Sequence, residues 1–438
     1  MNGQGGEKLR RQAMAVLRAN DRGGYTVPSA GLYPFQWNWD SCLVALGWAR
    51  FDEARAWREI ETLFAAQWPD GMVPHIVFHR DDPAYFPGPA VWATGRRPAS
   101  SGITQPPVAA SCVRWLLEGA RDRDRALAAV QRLFPKLLAW HAWFHSARDP
   151  EGRGWVVTVH PWETGMDNSP AWDAPLAAVT PPPDLPPYER RDLTHVDAAQ
   201  RPTRAEYDRY MTLVRLFREL AYDPAAMVAH SPFLVVDPAT NAILLRADRD
   251  LALLAETLGE REARRRIEGW IARAEGALPD LLAEPGSGLW RAFDLRGGRS
   301  VEARTHAGFL ALYAGLGDAR LAELARSWAE ETRYALSSVP AKDPAFDRRR
   351  YWRGPVWPVT NLLLARGFAE RGDEDLAERL RRDTAALIAG EGFREYFDPL
   401  DGTGLGGTRF SWTAAVWLAW IDQPGRERGP DEPSDPPK

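Results

Sequence analysis

Apolar residues recur at steps of three and four along most of the chain, and that period admits few folds. Trp57, Ile60, Leu63, Phe64 and Trp68 line one helical face in this way. Val108, Cys112, Trp115 and Leu116 do the same behind Pro106-Pro107, residues suited to a first helical turn. The same reading predicts helices over Glu7–Ala19, Asp40–Arg50, Asp122–Phe134, Lys136–Ser146, Arg204–Ala221, Asp248–Leu258, Glu260–Ala274, Ala303–Tyr313, Ala319–Leu336, Pro355–Glu370, Glu374–Ala389 and Ser411–Trp420. No βαβ alternation and no regular strand rhythm interrupts them. Short extended pieces are expected at Gly154–Val159, and at Gly288–Leu295 with Ser300–Glu302 across a Gly297-Gly298 turn. A length of 438 residues allows two or three domains. A long series of helix pairs without Gly/Ser linkers instead predicts one large helical toroid.

Two segments break the pattern: Val77–Gln105, and Ala174–Thr203 with its Pro181-Pro182-Pro183 and Pro186-Pro187 runs. Loops this long inside a compact unit are usually functional or disordered. The tail Gln423–Lys438 is Pro, Gly and charge, and is expected to be disordered. We therefore expect one domain over residues 1–422 and a tail over 423–438.

Composition removes several classes of function. A net charge of −4 gives no electrostatic footprint for nucleic acid. Met1–Gly6 has no apolar leader, and stretches such as Ala414–Ile421 are too short to cross a bilayer, so no membrane role is expected. Cys42 and Cys112 cannot build a disulfide framework or a cysteine-rich zinc site. Both are expected in the core, in a reducing cytoplasm. Lysine occurs only as Lys8, Lys136, Lys342 and Lys438, so anion recognition falls to arginine. The 20 tryptophans outnumber both the 16 phenylalanines and the 11 tyrosines, which asks for an explanation beyond core filling.

Three segments concentrate carboxylates among tryptophan and glycine. In Leu32–Asp40, aromatic residues alternate with Gln36, Asn38 and Asp40. Flat rings stack on the C–H faces of a sugar while amides and carboxylates bind its hydroxyls. The segment also reads as a packed turn with Asp40 capping a helix. His160–Asp173 places Glu163, Asp167 and Asp173 around Gly165 and two tryptophans. A carboxyl beside an indole in a partly apolar pocket holds its proton longer, as a general acid must. Equally, Asp167 reads as an Asx turn before Pro170. In Phe393–Thr413, Glu395 sits among aromatics ahead of a glycine-rich run. It also reads as a solvated surface turn. No preceding βαβ strand and no following Gly-Lys-Ser/Thr support a phosphate loop there.

Together, Tyr33-Pro34-Phe35-Gln36-Trp37-Asn38-Trp39-Asp40, Trp162–Pro170 and Glu395–Gly402 with Phe410-Ser411-Trp412-Thr413 resemble glycoside hydrolase family 63. The likeness spans Tyr33 to Trp412, and three blocks in order are far more specific than one. It is strongest to the compact bacterial mannosylglycerate and glucosylglycerate hydrolases of the family. The resemblance implies an all-α (α/α)6 barrel with long loops over the site and a few short strands. It implies an inverting α-glycosidase without cofactor or metal, acting on a small glycoside. By motif position Asp167 is the general acid and Glu395 the general base, with Glu391 a less fitting competitor. Glu163 is the carboxylate that orients or tunes the acid. Tyr33, Gln36, Trp39 and Asp40 are expected to bind and stack on the sugar, and Tyr351, Trp352 and Trp357 to wall it.

For the glycerate half, the resemblance points to Arg204 with Tyr207 and Tyr210, to Gln105 of Gly102–Pro107, and to Tyr85 from the preceding loop. A guanidinium grips a planar carboxylate with two parallel hydrogen bonds. Trp37, Trp39, Trp162, Trp172, Trp352, Trp357 and Trp412 are assigned to sugar-site walls, and Trp57, Trp68, Trp115 and Trp140 to helix packing. His141 and His145 share a helix face, but no Glu completes a metal motif and the flanking Trp140, Trp143 and Phe144 favour packing. Competing readings are an α-glucosidase or trehalase-like hydrolase of an uncharged disaccharide, and, in a different class, a sugar epimerase or sugar-binding toroid. Mannose and glucose fit the sequence equally, and a homo-oligomer is left open.

Overall fold

Helices of two chemical kinds alternate along the chain. A computed structural model describes residues 3–190 and 192–422; the tail expected at 423–438 lies outside the described residues. In chain order the principal helices are α1 (Gly3–Asn20), α2 (Asn38–Ala49), α3 (Glu53–Ala65), α4 (Ala109–Glu118), α5 (Arg123–Trp143), α6 (Arg204–Glu219), α7 (Pro238–Leu258), α8 (Arg261–Leu282), α9 (Leu310–Tyr313), α10 (Ala319–Ala329), α11 (Pro358–Glu370), α12 (Glu374–Glu391) and α13 (Ser411–Val416). Among the described residues, α2, α4, α7, α9, α11 and α13 are buried along most of their length. Helices without a polar face need partners on every side. They find them in a ring: each packs on the next, and α13 returns to α2.

The intervening helices are amphipathic and form the outer layer. α3 covers α2 with Trp57, Ile60, Leu63 and Phe64, as their spacing predicts. α5 lies on α4, α8 on α7, α12 on α11 and α1 on α13. α10 packs on the His306–Phe309 turn that leads into α9. This is the (α/α)6 barrel implied by the resemblance. α6 is additional to it.

Several boundaries differ from the sequence reading. The helices expected to break before Lys136 form the single helix α5, which runs through Pro135. Proline removes one intrahelical hydrogen bond. Here Pro135 and Gln131, whose carbonyl loses that partner, both lie on the exposed side of the helix. α7 starts ten residues before the expected Asp248, at Pro238, capped by the Asp237 carboxylate on the Ala239 and Thr240 amides. Its first turns are buried all round and show no amphipathic period. α10 stops at Ala329 rather than Leu336, and the helix after Ser411 becomes a π turn over Trp417–Ile421. The piece at Gly154–Val159 contributes one bridge, Thr158 to Val235, whereas the hairpin forms as expected with Phe293 opposite Ser300.

Short sheets fix the loops at one mouth of the ring. Gln36–Trp37 pairs with Ile76–Phe78, which pairs with Ala99–Ser100. Tyr396–Phe397 pairs with Gly404–Leu405, and Phe397 also bridges to Val356. α2 and α13 begin inside the first and third of the sequence blocks, at Asn38 and Ser411, so the blocks meet where inner helices start.

Ring closure depends on a close crossing. A Cβ at Gly47 of α2 would stand 2.6 Å from Cα of Ala415 in α13. Overpacking of this kind costs about 1–3 kcal/mol, so Gly47→Ala should lower the melting temperature. Gly276 in α8 has open space around it. There, Gly276→Ala should hold or raise the melting temperature, since mid-helix glycine costs roughly 0.5–1 kcal/mol relative to alanine. Equal effects of the two substitutions in thermal melts would contradict this crossing.

Candidate active site

A cavity of about 120 Å³ opens at this mouth. Its wall includes Tyr33, Trp37, Trp39, Asp40, His75, Tyr85, Gln105, Trp162, Asp167, Asp192, Arg201, Tyr207, Tyr351, Glu395, Phe410 and Trp412.

Asp167 reaches the cavity from a tight turn. The His160 ring accepts a hydrogen bond from the Trp162 amide and starts a 3₁₀ turn over Pro161–Thr164. Gly165 then reverses the chain at φ +68°, and a Cβ there would meet the Trp39 ring at 2.8 Å. Both the backbone angle and the close approach require glycine. Tyr210 donates its hydroxyl to the Asp167 carbonyl at 2.6 Å, and Trp172 donates to the Met166 carbonyl at 2.8 Å. Burial pushes the Asp167 carboxyl up to about 7; its own backbone amide and Arg201 oppose this, and the charge of Glu395 adds to it.

Glu395 is 1% exposed and ends a segment held by the Tyr396–Phe397 strand. Arg201 donates to its carboxylate at 2.7 Å, Tyr33 hydroxyl at 3.0 Å and the Gly407 amide at 2.8 Å. The glycine run after it wraps this carboxylate: a Cβ at Gly406 would collide with Glu395 Oε2. The guanidinium of Arg201 also lies 4.8 Å from the Tyr351 ring centre, and Tyr351 itself sits at φ +39°. Asp40, in the first turn of α2, has its carboxyl held well above the ordinary range, first by burial and then by the charge of Glu395.

Of the residues expected at the site, Tyr33, Trp39, Asp40, Tyr85, Gln105, Asp167, Tyr207, Tyr351 and Glu395 line the cavity. Gln36 does not. Successive strand residues face opposite ways, so Trp37 enters the cavity while Gln36 turns inward to donate to Ser41 and the Glu59 carbonyl and to pair with His79. Arg204 is also misplaced by the sequence reading. Thr203 and Glu206 form a capping box that starts α6 at Arg204, whose side chain is 56% exposed and pairs with Asp208 over the Tyr188 ring. Arg201, three residues earlier in extended chain, faces the cavity instead; the Thr203-x-x-Glu206 pattern could have told the two apart.

Tyr210 is buried behind Asp167, and Trp352 and Trp357 stack on each other at 3.7 Å behind Tyr351. Trp172 is likewise buried off the wall. Glu163 accepts from Arg148 at 2.7 Å and from the Val159 amide at 2.9 Å, so it secures the turn without reaching the cavity.

The sequence reading missed His75 and Asp192. His75 stacks on Trp162 and meets Trp37 and Trp92 edge-on, and burial with the neighbouring His160 pushes its ring down to about 3, leaving it neutral. Asp192 accepts from Arg190 at 3.0 Å. No local pattern marks either residue. His141 and His145 both bond to Asp248 of α7. Among the described residues no group of three or more His, Cys, Asp or Glu could hold a metal ion, and no helix is long and apolar enough to cross a membrane.

The profile of the "Mannosylglycerate hydrolase MGH1-like glycoside hydrolase domain" family matches residues 33–413. Mannosylglycerate hydrolase MGH2 of Selaginella moellendorffii is 53% identical over 411 residues, covering 93% of this chain and 84% of that protein. Glucosylglycerate hydrolase of Mycolicibacterium hassiacum is 37% identical, covering 94% of this chain and 98% of that protein. The crystal structure of the GH63 mannosylglycerate hydrolase from Thermus thermophilus in complex with Tris and D-glycerate superposes with a TM-score of 0.91 at 52% identity, covering 94% and 99% of the two chains.

The state of Asp167 has a stability consequence with a definite sign. Its folded value of about 7 lies above the ordinary 3.8. Below the ordinary value both folded and unfolded chains hold the proton. As pH rises toward 7 the unfolded chain releases it first, so native stability falls, by up to about 4 kcal/mol in total. Asp167→Asn carries no such cost. In denaturant titrations its stability relative to the parent should grow by roughly 2–3 kcal/mol between pH 5 and pH 8. A difference independent of pH would mean that Asp167 is already ionised at pH 5.

Proposed function

The chain belongs to the mannosylglycerate hydrolase MGH1-like glycoside hydrolases, and from that premise we propose that it hydrolyses the α-glycosidic bond of mannosylglycerate or glucosylglycerate with inversion, releasing hexose and glycerate. The observation that carries this reading is the pairing, in one cavity, of a carboxyl that keeps its proton to about pH 7 with a carboxylate held beside a guanidinium. Asp167 gives its proton to the glycosidic oxygen as the bond to the sugar breaks. Glu395 takes a proton from the water that attacks from the opposite face. Inverting enzymes separate the two carboxyl groups by roughly 6.5–9.5 Å to admit that water. Trp39, Trp162 and Trp412 offer flat faces to the sugar, and Tyr33 and Asp40 reach its hydroxyls.

Glycerate adds a negative charge to a wall that already holds Asp40, Asp167, Asp192 and Glu395. The wall tolerates it because burial raises the carboxyls of Asp40 and Asp167, while Asp192 is paired with Arg190 and Glu395 with Arg201. Arg201 replaces Arg204 as the guanidinium closest to the substrate carboxylate, with Tyr85, Gln105 and Tyr207 completing the pocket. Glu163 and Tyr210 hold the acid's turn in place. Residues 1–422 form the catalytic unit in this reading. Free Cys42 and Cys112, both buried, fit work in a reducing cytoplasm.

Digestion of a panel of α-glycosides followed by NMR tests the reading. Mannosylglycerate or glucosylglycerate should be cleaved, and the first-formed hexose should be the β anomer. Cleavage of trehalose or other uncharged disaccharides alone would favour the α-glucosidase or trehalase-like alternative. Asp167→Asn and Glu395→Gln should each lose about 10²–10⁴-fold in kcat. Full turnover in both would remove them from the chemistry and favour an epimerase. Because Asp167 must be protonated, kcat/KM should decline as pH rises through about 7.

The two arginines give a separate prediction. Arg204→Ala should leave KM for glycosylglycerate within about threefold of the parent, as expected for an exposed surface pair. Arg201→Lys should raise KM at least about tenfold, since lysine cannot reproduce the forked contact. The reverse ranking in steady-state kinetics would return the glycerate site to Arg204.

A further inference from the structure

One carboxylate outside the cavity joins three of the segments that wall it. Glu206 stands in the first turn of α6, its side chain 14% exposed. Its Oε1 accepts from Asn168 Nδ2 at 3.0 Å and from Arg353 Nη2 at 3.2 Å. Its Oε2 accepts from the Thr203 amide at 2.6 Å, the Thr203 hydroxyl at 2.7 Å and Arg350 Nη2 at 2.6 Å. A capping box accounts for the Thr203 contacts alone. The other donors come from two distant parts of the chain, the turn before 170 and the loop at 350–353.

Each donor is a near neighbour of a cavity residue. Asn168 directly follows Asp167. Thr203 lies two residues after Arg201, which holds Glu395. Arg350 and Arg353 flank Tyr351 and Trp352. Burial works against the charge of Glu206, but the Thr203 bonds and then Arg350 and Arg353 outweigh it and hold the carboxyl below its usual range. The group is therefore an anion wherever the enzyme would act, and its five charge-assisted contacts are stronger than neutral ones.

We propose that Glu206 is a positioning residue that sets the placement of Asp167 relative to Arg201 and Glu395, and of Tyr351 relative to both. The inference rests on the acid and base assignments above. Misplacing reacting groups by about 1 Å can cost on the order of 10²-fold in rate, whereas losing a cap alone lowers stability and leaves the rate of the folded enzyme unchanged. The two roles thus separate in their readouts.

The test compares Glu206→Ala, Glu206→Gln, Asn168→Ala and the Glu206→Ala/Asn168→Ala double variant in the full chain. Mannosylglycerate is the kinetic probe, and hydrogen exchange read by mass spectrometry is measured without substrate. Glu206→Ala should lose roughly 30–100-fold in kcat with KM changed by less than about fivefold. Since Glu206 acts on Asp167 through Asn168, the double variant should be no worse than Glu206→Ala by more than about twofold. The basic limb of the kcat/KM profile should also shift. Amide exchange should quicken in the segments around 165–170, 199–205 and 346–354 together.

A kcat within about threefold of the parent, multiplicative losses in the double variant, or faster exchange confined to the start of α6 would each overturn the proposal. If Glu206→Ala does not fold, Glu206→Gln decides. It keeps the acceptor for Asn168 and loses the charge, and should lose about 5–20-fold in kcat; a loss under about twofold overturns the brace. If the parent does not cleave glycosylglycerate, the function reading fails on its own, and the exchange pattern still tests the brace.

Discussion

The site is organised around the buried ion pair of Arg201 and Glu395. Both side chains are almost fully removed from water, 2.7 Å apart. Burying either charge alone would cost several kcal/mol, and the pair repays this only with good geometry and further hydrogen bonds. Those bonds explain much of the surrounding structure. Tyr33 arrives from the segment before α2, the Gly407 amide from the glycine run, and the Tyr351 ring covers the guanidinium. Each of these comes from a different part of the ring, so satisfying one carboxylate draws four segments to one point.

The opposite treatment of Asp167 follows from the same geometry. It shares the cavity with Glu395 but has no guanidinium of its own. Burial therefore decides its state, and the negative charge nearby adds to the effect. Of the two carboxyl groups in one cavity, one is thus paired with an arginine and the other is not. Asp40, more deeply buried, has its carboxyl raised in the same direction. In the proposed reaction these differences separate the group that donates a proton from the group that accepts one.

The sequence made the outer layer of the fold legible because an amphipathic helix writes its buried face as a period of three and four. Trp57 to Phe64 show this on α3. The inner layer was harder: the start of α7 is buried on every side and carries no period, so its first ten residues were missed. Motif blocks located Asp167, Glu395, Tyr33, Trp39 and Asp40 at the cavity. They did not say which way each side chain points. Gln36 and Trp37 are neighbours on a strand, and only one enters the cavity. Arg201 and Arg204 are separated by a helix cap that reverses which of them faces inward. His75 and Asp192 reach the wall through tertiary packing that leaves no local trace.

Ring closure between α2 and α13 has a consequence for synthesis. The first inner helix leaves the ribosome long before the helix it must meet, Ser411–Val416. Glu395 and its glycine wrap emerge just before that helix. A nascent chain stopped or clipped anywhere short of it would expose the unpartnered flank of a helix that is buried along its length in the finished ring. Such contacts between distant residues form slowly and leave apolar surface open meanwhile. Demand for chaperones should therefore persist until Ser411–Val416 has been made.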